Sequence, residues 1–132
     1  AHYQLRTKFK MDKLDEMFAR RHEFMQVLNQ KIPGSSPIDL DLSKKEDQQI
    51  CRDVALRGVE EMFEALQHLK NWKPHRVTNI SGFDREQFLE EMVDAFNYFF
   101  SLLIMTGFDA EDLFKEYCRK DSVIHKRLDD GY

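Results

Sequence analysis

An all-α protein, a four-helix bundle that associates with further copies of itself, is the architecture this sequence predicts. Three observations lead there. Apolar residues recur at helical spacing in four segments. Each segment is bounded by capping or breaking residues, and none alternates apolar with polar residues as a strand would. The 132 residues fit one domain, taken as 1–132 with an N-terminal tail at 1–10. Eleven Phe and six Met are more apolar surface than a small bundle buries alone, which is why association is expected.

The first helix is predicted over residues 11–29, where Leu14, Met17, Phe18, Phe24, Met25 and Leu28 share a face. It stops before Ile32-Pro33-Gly34-Ser35-Ser36-Pro37, part of a long Pro-rich loop at 30–43 that is expected to cover a site or a neighbouring subunit, or simply to cross the surface. Ser43 with Glu46 reads as a capping box opening the second helix, expected to run to about Trp72 and to break at Pro74. Asp84 with Gln87 repeats that pattern for the third helix, ending at Gly107, and Asp109 caps the fourth, through about Leu128. The third helix is apolar almost all round over 95–105, as in a helix enclosed by neighbours or by a second subunit.

A formal charge of −4 argues against nucleic acid as a partner, because phosphate contacts need a basic surface. Cys51 and Cys118 make no disulfide framework and match no zinc spacing, so both are expected reduced and structural. The opening AHYQLRTKFKMDK lacks the apolar core of a signal peptide, and AFNYFFSLLIMTGF is too short for a membrane span. No membrane and a cytoplasmic location are the expectations.

The chemistry lies in two acidic runs, Glu60-Glu61-Met62-Phe63-Glu64-Ala65-Leu66 and Glu90-Glu91-Met92-Val93-Asp94-Ala95-Phe96. Residues three apart share a helix face, so Glu61 projects with Glu64, and Glu91 with Asp94, each pair at the margin of an apolar stripe. One such pair is ordinary on a solvated helix. Two, on successive helices, could converge if those helices pack antiparallel, and a divalent cation is then the usual relief of their repulsion; solvated surface carboxylates are the equal alternative on spacing alone. All-oxygen ligation favours Mg²⁺, with Mn²⁺ as a substitute. A di-iron bundle would need Glu-x-x-His on two helices, and no Glu here has a His three residues on.

These residues resemble the all-α nucleoside triphosphate pyrophosphatases, a group with dimeric dUTPases, phage dCTPase/dUTPases and MazG-type enzymes. Its hallmark, Glu-x-x-Glu followed on the next helix by Glu-x-x-Asp, is matched by Glu61-Met-Phe-Glu64 and Glu91-Met-Val-Asp94. The Trp72-Lys73 segment resembles one in dimeric dUTPases. The C-terminal KDSVIHKRLDDGY is similar to their Lys-Asn-x-x-Asn-x-x-Arg-Gln-x-Asn-Gly-Tyr, coinciding at Lys120, Arg127, Gly131 and Tyr132. The similarity covers residues 54–132; the first helix and the Pro-rich loop resemble the group only loosely, the loop being closer to MazG-type members.

The resemblance implies a Mg²⁺-dependent hydrolase that converts a deoxynucleoside triphosphate to the monophosphate and pyrophosphate, working as a homodimer or homotetramer. Glu61, Glu64, Glu91 and Asp94 are implied as catalytic and metal-holding, with Glu61 the candidate general base. Lys73, Lys120 and Arg127 are implied as phosphate contacts, and Tyr132 as a substrate contact. The departures cluster where dimeric dUTPases read the base. A first-helix Gln becomes His22, an Asn becomes Met25, and a His after the second acidic motif becomes Asn97. Near the C-terminus the changed positions are Asp121, Ile124, Leu128 and Asp130. Strict dUTP specificity is therefore not expected, since a polar site rejects bases that leave its groups unpaired. Asp121 can accept from an amino group, Asn97 can donate and accept, and Trp72 can stack on a base. Phage-type control of the nucleotide pool, in the host cytoplasm, is the implied setting. The competing expectation is a helical nucleotide-binding or interaction module that does not hydrolyse.

Overall fold

The computed structural model describes residues 11–79 and 82–131; the tail at 1–10 and Tyr132 lie outside the described residues. Those residues form four helices and no strand: α1 Lys13–Lys31, α2 Lys45–Leu66, α3 Arg85–Met105 and α4 Ala110–Asp129. They fall into two compact units, residues 11–39 with 103–131, and residues 40–102. No described helix is long and apolar enough to cross a membrane.

In the first unit α1 packs against α4. Asp12 caps α1 by accepting from the Asp15 backbone N–H at 2.8 Å, with Asp15 and Glu16 set against the helix dipole in the first turn. Phe18 and Met25, two turns apart, are the residues α1 buries. The Pro-rich loop is tied back onto α1. The Asn29 side chain accepts from the Ser36 N–H at 2.8 Å and donates to the Ser36 carbonyl, so the buried Ser36 backbone is satisfied from both sides.

The start of α4 carries a full capping box, with Asp109 Oδ1 accepting from the Asp112 N–H and Asp112 Oδ2 from the Asp109 N–H. Just upstream, the α3 end is closed by two bonds, Gly107 N–H to the Ile104 carbonyl and Phe108 N–H to that of Leu103. This closure needs a left-handed residue, and Gly107 supplies it at φ +88°. Of the two cysteines, both free, Cys51 is buried in α2 as expected, but Cys118 is exposed on α4.

In the second unit the predicted ends of α2 shift at both sides. Ser43 is not its cap. The Ser43 hydroxyl and N–H both donate to Asp41 Oδ1, at 2.7 and 2.9 Å, and hold the Asp41 carboxyl below its usual range. Lys44 occupies the cap position without a side-chain bond. An acceptor two residues upstream thus outcompeted the helix for the serine.

At the other end α2 stops at Leu66, six residues before the expected Trp72. Tight three-residue bonds, His68 N–H to Ala65 and Leu69 N–H to Leu66, wind it down. Pro74, which bars helical geometry at the residue before it, makes a later continuation unfavourable. The expected opening of α3 is met at Asp84, which accepts from the Gln87 N–H at 3.0 Å. The Phe83 and Phe88 rings, 5.5 Å apart, clasp across that cap as a hydrophobic staple.

Candidate carboxylate site

The site is built on the packing of α2 with α3. Along α2, Cys51, Val54, Gly58 and Ala65 are buried, at spacings of three and four, and Glu61 falls on that stripe between Gly58 and Ala65. Gly58 lets the helices meet. A Cβ there would lie 2.8 Å from the Phe99 ring and 3.2 Å from Tyr98 Cβ, so the ring occupies the space a side chain would take. Gly58 faces Tyr98 and Phe99, and His68 faces Glu91, which sets the two helices antiparallel.

The two acidic runs are equivalent in burial as well as in sequence. Residues 60–66 and 90–96 follow the same order: exposed, partly buried, partly buried, exposed, exposed, buried, exposed. Glu61 and Glu91 are therefore the inward members of their pairs, while Glu64 and Asp94 are exposed. Ala65 and Ala95, each four residues after the inward acid, are both fully buried.

Electrostatics ties the four acids together. Burial pushes the Glu61 carboxyl above its ordinary range, and the charges of Glu64, Asp94 and Glu91, with a hydrogen bond shared with Glu64, push it the same way. Glu91 Oε2 is buried and makes no hydrogen bond. Such an oxygen is costly unless a cation or donor meets it, so the donor set fits a hard divalent ion. Among the described residues no three His, Cys, Asp or Glu side chains are already gathered into a cage. Closing one would need Glu64 and Asp94, the exposed members, to turn inward.

His68 is the component that sequence spacing did not single out. Its Nε2 lies 2.6 Å from Glu91 Oε2, and the two side chains are only 24% and 18% exposed. The contact is close but lacks hydrogen-bond geometry, which is how Oε2 is paired in distance and still unbonded. The signal was present: His68 continues the stripe of 51, 54, 58, 61 and 65 by one more step of three.

The remaining expected residues divide between the units. In the 40–102 unit, Trp72 is 69% exposed, the partly buried Lys73 places Nζ 5.7 Å from the centre of its ring, and Asn97 is partly buried on α3. In the other unit, His22 lines a cavity of about 290 Å³ with Asp15, Phe18, Ile38, Asp39 and Phe108. Lys120, Asp121 and Arg127 are exposed on α4, with Asp121 Oδ2 3.4 Å from His125 Nε2. Tyr132 is outside the described residues. Compared with known proteins, the chain matches no family model, no curated protein and no solved structure.

Proposed function

We propose that this chain is a divalent-cation-dependent deoxynucleoside triphosphate pyrophosphohydrolase, built as an associating four-helix bundle. The observation that supports the reading is the pairing of two acidic runs on α2 and α3, with Glu61 and Glu91 as their inward members and Glu91 Oε2 buried without a hydrogen bond. A triphosphate of up to four negative charges can meet such an acidic surface only through cations.

Glu61, Glu64, Glu91 and Asp94 would hold Mg²⁺, or Mn²⁺ in its place. When bound, such an ion neutralises phosphate charge and lowers the pKa of a coordinated water. Glu61, whose carboxyl already prefers its proton more than an ordinary Glu does, suits the role of general base. It would take a proton from the attacking water as oxygen bonds to the α-phosphorus. The bond from that phosphorus to the bridging oxygen breaks, and pyrophosphate leaves with the electron pair. Lys73 would hold phosphate oxygens through its ammonium, and Trp72 offers an exposed face for a base.

Asn97 would read a base edge, and loss of dUTPase-like amides favours a base other than uracil alone. His22, Lys120, Asp121, Arg127 and Tyr132 are further candidate contacts, to be judged by substitution. The deciding experiment measures pyrophosphate released from each of the four common deoxynucleoside triphosphates and dUTP, with Mg²⁺ and with Mn²⁺. Turnover of one or two of them, abolished by chelator, is expected. No release from any would sink the enzyme; a nucleotide-induced rise in melting temperature without release would leave a binding module in its place.

A further inference from the structure

We infer that two copies of this chain associate through one face of the α2–α3 pair, formed by Val59, Phe63 and Leu66 on α2 and by Leu89, Val93 and Phe96 on α3. This names the surface of the association proposed above, and it stands apart from the enzymatic reading. All six side chains are between 40% and 64% exposed in the single chain.

The sequence builds this face twice. Residues 59–66, VEEMFEAL, and 89–96, LEEMVDAF, are near-repeats, and the six apolar residues fall at matching places in them. On each helix the three are spaced by four and then three, which makes one stripe. The two helices run antiparallel, so equivalent positions are related by a twofold axis normal to the plane of the pair. Such an axis keeps equivalent side chains on the same side of the pair. The exposed acids Glu60, Glu64, Glu90 and Asp94 lie on the other exposed flank of their helices. One side of the pair is therefore apolar and the other acidic.

Extent and shape favour a second copy as the cover. Six large side chains about half exposed leave on the order of 600 Å² of apolar surface, judged from the size of such side chains. That is the upper end of what a lone monomer carries, and it approaches the roughly 800 Å² per partner of a stable interface. No charged residue interrupts either stripe, as in the core of an interface. The sizes also complement one another. A twofold axis along the helices lays α2 of one copy on α3 of the other and keeps the register set by Gly58 against Phe99. Phe63 then meets Val93, and Val59 meets Phe96, large against small, and the symmetry makes each contact twice.

The test is sedimentation velocity of the full chain over a range of concentrations. It compares the wild type with Phe63→Lys, Val93→Glu, the double variant of these two, and Phe114→Lys at an exposed apolar position of α4. Circular dichroism checks each fold. The wild type should be a dimer that dissociates on dilution. Either single change on the face should weaken it at least about a hundredfold. The double variant should recover about tenfold of that, because the new ammonium of one copy meets the new carboxylate of the other. Phe114→Lys should leave the dimer as it was. A wild type monomeric at every concentration would overturn the inference, since the face is then covered by the rest of the chain or by another protein. So would a dimer that survives Phe63→Lys, or one lost in Phe114→Lys. Absence of recovery in the double variant would overturn the laying of α2 on α3. None of these outcomes bears on pyrophosphate release, because the four acids are left in place.

Discussion

Glu116 on α4 and Glu61 on α2 are glutamates on amphipathic helices, and their surroundings treat them in opposite ways. Arg119 Nε lies 3.0 Å from each Glu116 oxygen, and this hydrogen bonding holds the Glu116 carboxyl below its ordinary range. Along the same helix Glu111 pairs with Lys115 and Asp121 with His125. Around Glu61 the neighbours that act are Glu64, Asp94 and Glu91, and its carboxyl is pushed up. Glu116 is neutralised locally on its own helix, whereas Glu61 has other acids around it, although α2 too pairs Asp53 with Arg57 one turn away. Acids gathered in this way are what the proposed cation site would account for.

Substitutions at the two kinds of acid should separate them most widely in turnover. Asp94→Asn is expected to lower metal-dependent pyrophosphate release by at least about a hundredfold, since even partners of a metal ligand commonly cost ten to a hundredfold. Its melting temperature should hold or rise, because one repulsive charge is gone. Glu116→Gln, on the paired helix, should leave release unchanged. Steady-state kinetics on both, beside their thermal melts, checks this; equal activity in the two variants would erase the contrast.

Packing gives the next largest effect. Gly58→Val inserts a branched side chain where even a Cβ lies 2.8 Å from the Phe99 ring, and overpacking of this kind costs about 2 kcal/mol. The loss should appear in urea unfolding. Metal affinity should fall with it, because Glu61 is one turn further along the same stripe. Gly34→Ala, with nothing within 4 Å of the added carbon, tests backbone conformation alone, since Gly34 sits at φ +80°. A left-handed Ala costs about 1 kcal/mol. That change lies in the other unit and should leave metal affinity untouched.

Smaller again is the difference between two helix starts. Asp109→Ala removes a reciprocal capping box and should cost about 1 kcal/mol by denaturant unfolding. Ser43→Ala should cost α2 little as a cap, because its hydroxyl serves Asp41 rather than the helix. A large loss of α2 helicity in that variant, by circular dichroism, would restore the serine as the cap. The pair also shows where sequence reading reached and where it stopped. Asp84 and Asp109 were legible because a cap is settled within four residues. Ser43 was not, because the competitor, Asp41, sits on the far side of it in a loop with no periodicity.

The acidic pairs were legible for the same local reason: a spacing of three is enough to place two carboxylates on one face. The inward roles of Glu61 and Glu91 follow from the three-and-four spacing of buried neighbours. His68 continues the same spacing, but its contact with Glu91 depends on where α2 unwinds and on which α3 residue then stands opposite. Both are properties of the packed pair of helices.

The finest distinction between Glu61 and Glu116 is the sign of their linkage to pH. A carboxyl raised in the folded chain binds more protons there than when unfolded, so stability falls as pH rises from the ordinary glutamate range through the raised value. A lowered carboxyl does the reverse: its contribution is complete above the ordinary range and is lost as pH falls through the depressed value. Melting temperatures of the chelator-treated protein across the acid range should therefore show a shallow decline with rising pH that Glu61→Gln removes. In Glu116→Gln the loss of a stabilising pair should be seen above that range and vanish in acid. Added Mg²⁺ should cancel the first trend, because a cation supplies the charge that Glu61 lacks, and should leave the second unaltered, because Arg119 already does.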